Sequence, residues 1–74
     1  MNYETLNKVY NRILEEQGID PDKYEREDAF MGIWFDHEKG IDLTTSIIDT
    51  FDVVHGVELS ESYVQSMLKE VAAW

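Results

Sequence analysis

The sequence predicts an all-α fold, a compact bundle of about four short helices forming one domain over residues 1–74. Three observations carry this expectation. Apolar residues recur at steps of three and four in successive stretches, the spacing of one helix face. Helix-capping residues stand before those stretches, and Gly18, Gly40 and Gly56 stand after three of them. The hydrophobic fraction of 43 %, with two Trp, four Tyr and three Phe, is too apolar for a disordered chain despite the charge.

The first helix carries Tyr3, Leu6, Val9, Tyr10, Ile13 and Leu14 on one stripe. Asn2 is its N-cap, and Gly18 after Gln17 supplies the left-handed residue that ends it. Asp20-Pro21 restarts the chain, with Asp20 as cap and Pro21 at the first helical position, where its missing amide costs nothing. The segment Pro21–Glu38 carries Tyr24 and the doublets Phe30-Met31 and Trp34-Phe35. Gly32 among them costs about 1 kcal/mol relative to Ala in a helix interior. The alternative is a short strand over Phe30–Phe35, although strict alternation is absent.

Lys39-Gly40 stops the second helix, and Asp42 caps a third with Leu43, Ile47, Ile48, Phe51 and Val54 on one face. His55-Gly56 ends it, and Val57 and Leu59 flank a tight connection. Ser60 caps the last helix, which turns Tyr63, Val64, Met67, Leu68 and Val71 inward. The expected core of a monomer is Leu6, Val9, Ile13, Leu14, Phe30, Trp34, Ile47, Phe51, Val54, Val64, Met67 and Leu68.

Charge is the main functional signal. Sixteen acids oppose six Lys and Arg, giving a formal net charge of −10. A small domain needs a magnitude of only about 2–8 for solubility, and the excess repels itself. Seven acids fall within Glu15–Asp28, namely Glu15, Glu16, Asp20, Asp22, Glu25, Glu27 and Asp28, against Lys23 and Arg26 alone. Acids near a helix start, such as Asp22 and Glu25, are favoured by the helix dipole. Glu25 and Asp28, three apart, form a like-charged pair. The stretch reads either as a solvated face or as a binding surface. A second acidic set follows in Asp36, Glu38, Asp42, Asp49, Asp52, Glu58 and Glu61.

This balance disfavours direct binding to nucleic acid or to an anionic membrane, since both draw affinity from cations. No apolar run approaches the ~20 residues of a membrane span, and no basic leader precedes an apolar stretch. With no cysteine there is neither disulfide nor thiolate site, which suits a cytoplasmic setting. Catalytic and cofactor motifs fail in turn. The ladder Asp20-x-Asp22-x-Tyr24 has Glu25 where a calcium loop needs Gly and Met31 where it needs Glu. The glycines are isolated, so no phosphate loop exists. Asp49 and Asp52 fit a helix surface better than a cleft. His37 and His55 lack the spacing of a metal site and have no nucleophile beside them; His55 suits a helix C-terminus. No enzyme activity, metal or cofactor is expected.

Three likenesses follow from these residues. Size, acidity and helix count resemble an acyl carrier protein, which bears its prosthetic arm on a serine in Asp-Ser-Leu. In Gly40-Ile41-Asp42-Leu43-Thr44-Thr45-Ser46 the leucine follows the aspartate directly, and Ser46 stands one turn late. The stretch from Val54 to Leu68, with Gly56 in the turn and Ser60 as cap, is similar to a helix-turn-helix. Its last helix offers Glu61, Glu70 and a single cation, Lys69, the inverse of a base-reading surface. In size and charge the chain resembles small phage antagonists of host nucleases, the anti-CRISPR and anti-restriction proteins.

The resulting expectation is a small acidic inhibitor or adaptor that occupies the basic, nucleic-acid-binding surface of a partner protein, as an approximate nucleic-acid mimic. The acids of Glu15–Asp28 would meet that surface, with Trp74 as an apolar anchor. The alternative is an ordinary helical interaction module or homodimer using Trp34, Phe35 and Trp74. Trp34 and Phe35 are otherwise core residues.

Overall fold

The computed structural model describes residues 1–72. It contains α1 (Tyr3–Gln17), α2 (Lys23–Glu38), α3 (Leu43–His55) and α4 (Glu61–Ala72), within 27 × 24 × 20 Å. Among the described residues there is no strand, and α2 runs unbroken through Gly32. Each helix packs antiparallel to its neighbour in a closed ring. Tyr3 meets Phe30 and Trp34 between α1 and α2, and Ser46 meets Asp36 between α3 and α2. Tyr63 meets Glu16 between α4 and α1. The α2–α3 pair is the most closely packed and the α1–α2 pair the least.

Local chemistry sets the helix ends. Asn2 accepts the Thr5 amide at 2.8 Å, Asp42 the Thr45 amide at 3.1 Å and Ser60 the Tyr63 amide at 3.2 Å, satisfying donors that a first turn leaves unpaired. At the other ends Gly18 (φ 68°) and Gly56 (φ 66°) take the left-handed conformation. The next amides, of Ile19 and Val57, then reach back to the carbonyls of Leu14 and Phe51 at 2.9 and 3.0 Å. Ile19 and Val57 are thereby pressed against the core.

The second helix departs from expectation at its start. Asp22, not Asp20, is the cap, accepting the Glu25 amide at 2.9 Å, and helix begins at Lys23 rather than Pro21. Asp22 has a glutamate, Glu25, three residues on, the capping-box spacing, whereas Asp20 has Lys23 there.

The buried core contains Leu6, Val9, Ile13, Leu14, Phe30, Ile47, Phe51, Val64 and Met67 as expected, together with Tyr10, Ala29, Ile33, Leu59 and Val71. Trp34 and Leu68 pack on it only partly buried, and Val54 and Phe35 are exposed. The doublets of α2 mislead because the inward stripe runs Ala29, Phe30, Ile33, while Met31 is only half-buried beside it and Phe35 faces outward. α2 packs against both α1 and α3, and Ala29, Phe30 and Ile33 are the residues it buries. Trp74 lies outside the described residues.

Candidate functional site

The seven acids of the Glu15–Asp28 stretch separate by role. Asp22 is spent as a cap. Glu16 accepts from Tyr63 Oη at 2.7 Å and from Arg12 Nε at 3.1 Å, tying α1 to α4. The tyrosine hydrogen bond, with Arg12 in support, holds the Glu16 carboxyl below its usual range, while burial pushes the Tyr63 hydroxyl up. Glu25 turns toward α3 and lies 3.4 Å from His55 Nδ1. Asp20 stands 3.7 Å from the Arg26 guanidinium with its own side chain fully solvated. Glu15, Glu27 and Asp28 are exposed and make no hydrogen bond or ion pair among the described residues. These three are the acids left free to meet something else.

They border a groove. Because α1 and α2 touch mainly through aromatic edges, two adjoining depressions of about 460 and 510 Å³ remain between them. Tyr3, Phe30 and Met31 form the apolar part of the first, with Asn7 and Glu27 beside them. Leu14 and Ile19 do so in the second, with Glu15 and Asp20 at its edge. Asn11 and Arg26 line both. Asn11 Oδ1 and Arg26 Nε are shielded from water yet have no hydrogen-bond partner. Buried polar atoms in folded proteins are nearly always paired, so two orphans, an acceptor and a donor, in one shared wall set this groove apart.

Apolar anchors stand on the outer side of α2. Tyr24, Asp28, Met31 and Phe35 follow at i, i+4, i+7 and i+11 and share one stripe, with Tyr24 80 % and Phe35 52 % exposed. On α3, Val53 is 81 % exposed on a helix that also bears the exposed Asp49 and Asp52. The second acidic set is partly internal: Asp36 accepts from Ser46 Oγ at 2.8 Å, and Asp42 is a cap. Glu38, Asp49, Asp52, Glu58 and Glu61 remain exposed.

Sequence reasoning placed His55 at a helix end but missed its partners. Its side chain is fully buried, and Nε2 lies 2.7 Å from Tyr10 Oη. With the tyrosine donating to Nε2, the ring proton sits on Nδ1, toward the Glu25 carboxylate; the other tautomer would set a lone pair against that charge. At 3.4 Å this second contact is electrostatic and falls short of a hydrogen bond. Tyrosine, imidazole and carboxylate thus join three helices as a clamp, buried at Tyr10 and His55 and open to solvent at Glu25. Nothing in the spacing of Tyr10, Glu25 and His55 along the chain signals the meeting. His37 Nε2 contacts the Met1 carbonyl oxygen at 3.1 Å.

The suggested family features find little support here. Ser46 is buried and hydrogen-bonded, which leaves no room for a prosthetic arm. The exposed side of α4 presents Glu61, Ser62, Gln65, Ser66 and Glu70 with Lys69. No helix among the described residues is long and apolar enough to cross a membrane. Comparison with protein-family models, curated proteins and solved structures finds no similar protein.

Proposed function

We propose that this chain is an acidic protein-binding module that occupies a basic surface of a partner protein and so keeps nucleic acid away from it. The observation that carries the reading is the coincidence on α2 and its approach. Glu15, Glu27 and Asp28 have no hydrogen bond or ion pair among the described residues, and exposed Tyr24 shares a stripe with Asp28. Charge supplies fast encounter and rejection of wrong partners, and a buried aromatic anchor supplies slow dissociation.

The reading does not require a replica of a phosphate ladder. A duplex as long as the molecule's 27 Å extent carries about sixteen phosphates, at one per ~1.7 Å of axis. The chain has sixteen acids in all, several spent on caps and internal contacts. It therefore competes for a basic surface by charge and fit together, in the manner of the small phage antagonists it resembles in size and acidity.

The test is kinetic. A partner recovered by affinity capture is mixed with the protein at increasing salt. Association should slow steeply with salt, reversal of Glu15, Glu27 and Asp28 to Lys should flatten that dependence, and nucleic acid should be displaced from the partner. A second reading, an apolar module or homodimer, is favoured by the exposure of Phe35, Val53 and Val54. It wins if association ignores salt and Phe35→Ser alone abolishes binding or splits a dimer.

A further inference from the structure

We propose that the α1–α2 groove is a docking cleft for an extended basic segment of the partner, gripped by its main-chain amide as well as by its cations. This rests on the basic-partner reading and makes it local.

The argument starts from the orphaned pair. Asn11 Oδ1 needs a donor and Arg26 Nε needs an acceptor, and both stand in the wall that the two depressions share. A peptide backbone in extended form offers N–H and C=O groups along its length, so one segment can answer both. Neither atom is open to water in the free protein, so the segment reaches them as the Arg26 guanidinium re-orients within the wall. Its ion pair with Asp20 is long, at 3.7 Å, and the side chain is 41 % exposed. The rim then selects charge. Glu15 and Asp20 edge one depression and Glu27 the other, while Arg26 is balanced by Asp20, so a Lys or Arg finds a free carboxylate at either end. The apolar parts, Phe30 and Met31 in one depression and Leu14 and Ile19 in the other, take aliphatic stems. Length agrees as well. Alongside α1 from Tyr3 to Gly18 the groove runs about 22 Å at 1.5 Å per residue, and six extended residues span about 20 Å.

The probe is an acetylated, amidated hexapeptide of alternating cationic and leucine residues, fluorescently labelled, at low salt. A second probe is the same peptide methylated on alternate backbone nitrogens, which keeps every charge and removes donors. The wild-type protein should bind the first, with amide chemical shifts moving at Asn7, Asn11, Arg26 and Ile19, and should bind the methylated probe roughly 2–10-fold more weakly for each hydrogen bond lost. Asn11→Ala should bind both probes alike. Because the methylated probe acts on the unaltered protein, the outcome does not depend on a variant that folds. Equal affinity of the wild type for both probes overturns the proposal. So do shifts confined to Tyr24, Asp28 and Phe35, outside the cleft, an outcome that leaves the basic-partner reading intact. If the hexapeptide fails while polylysine binds in a salt-dependent way, the cleft alone is refuted; if no basic probe binds, both readings fall.

Discussion

Replacing Tyr10 by Phe tests the clamp at the centre of the bundle. The ring is fully buried and its hydroxyl lies 2.7 Å from His55 Nε2. Tyr10→Phe preserves the packing against Phe30 and Phe51 but strands a buried imidazole nitrogen, a loss of about 1–3 kcal/mol. For a domain of this size each kcal/mol moves Tm by roughly 4–8 °C, so a central value of about 2 kcal/mol predicts a drop of about 8–16 °C at neutral pH. A second signature lies at alkaline pH. Burial pushes the Tyr10 hydroxyl up to about 12 from 10.0, with Glu25 adding to the rise and Arg26 opposing it. The folded state therefore favours the neutral phenol. Its contribution is complete below pH 10 and lost as pH climbs toward 12, on the order of 2–3 kcal/mol at ~1.4 kcal/mol per unit. Thermal unfolding followed by circular dichroism, for both proteins from neutral to alkaline pH, gives the comparison. The gap between wild type and Tyr10→Phe should narrow above pH 10. A variant that melts with the wild type, or a gap that stays flat to the alkaline limit, refutes the clamp.

Three further outcomes are expected. Gly32→Ala should raise stability by about 1 kcal/mol, because an added Cβ at this exposed mid-helix site meets nothing within 4 Å; denaturant melts showing a loss would mean α2 bends there in solution. Phe51→Ala should cost about 3–5 kcal/mol and unfold most of the population, since Phe51 is fully buried; a melt like the parent's would mean that α3 is misplaced. Sodium chloride should raise Tm between low and moderate concentration by screening a net charge of −10, and a flat or falling Tm would mean the acids are compensated locally.

The four helices and most of the core were legible because each signal is local. A cap and the amide it satisfies lie three residues apart, and an inward stripe repeats every three or four. Most of the failures involve a second helix. The cap of α2 is the exception, a choice between two nearby aspartates in which Asp22 has Glu25 three residues on and Asp20 does not. Phe35 and Val54 fit a stripe yet face outward, because the stripe's direction is set by which neighbours the ring supplies. Seven acids look alike in sequence. Only the fold distinguishes Glu16, committed to Tyr63 and Arg12, from Glu15, Glu27 and Asp28, committed to nothing. The groove was invisible for the same reason, since the orphaned atoms of Asn11 and Arg26 belong to separate helices. The exposure of Tyr24, an aromatic on α2, is likewise hidden in the sequence, where it fits a helical pattern.

The uneven closeness of the helix pairs also fixes an order of assembly. The α2–α3 pair is joined by a short turn and packs most tightly, so its contacts form early at little cost in loop entropy. The seam between α1 and α4 is the opposite case. Glu16 and Tyr63 are 47 positions apart, and their meeting waits until the intervening hairpin has shortened the path between them. We expect α2–α3 to act as the nucleus and the α1–α4 seam to close late, so substitutions at Tyr63 should speed unfolding while leaving the folding rate nearly unchanged. The groove between α1 and α2 thus has one wall that belongs to the closest pair and one that closes with the final seam. That later wall is still firmly seated, since α1 brings Leu6, Val9, Tyr10, Ile13 and Leu14 into the core.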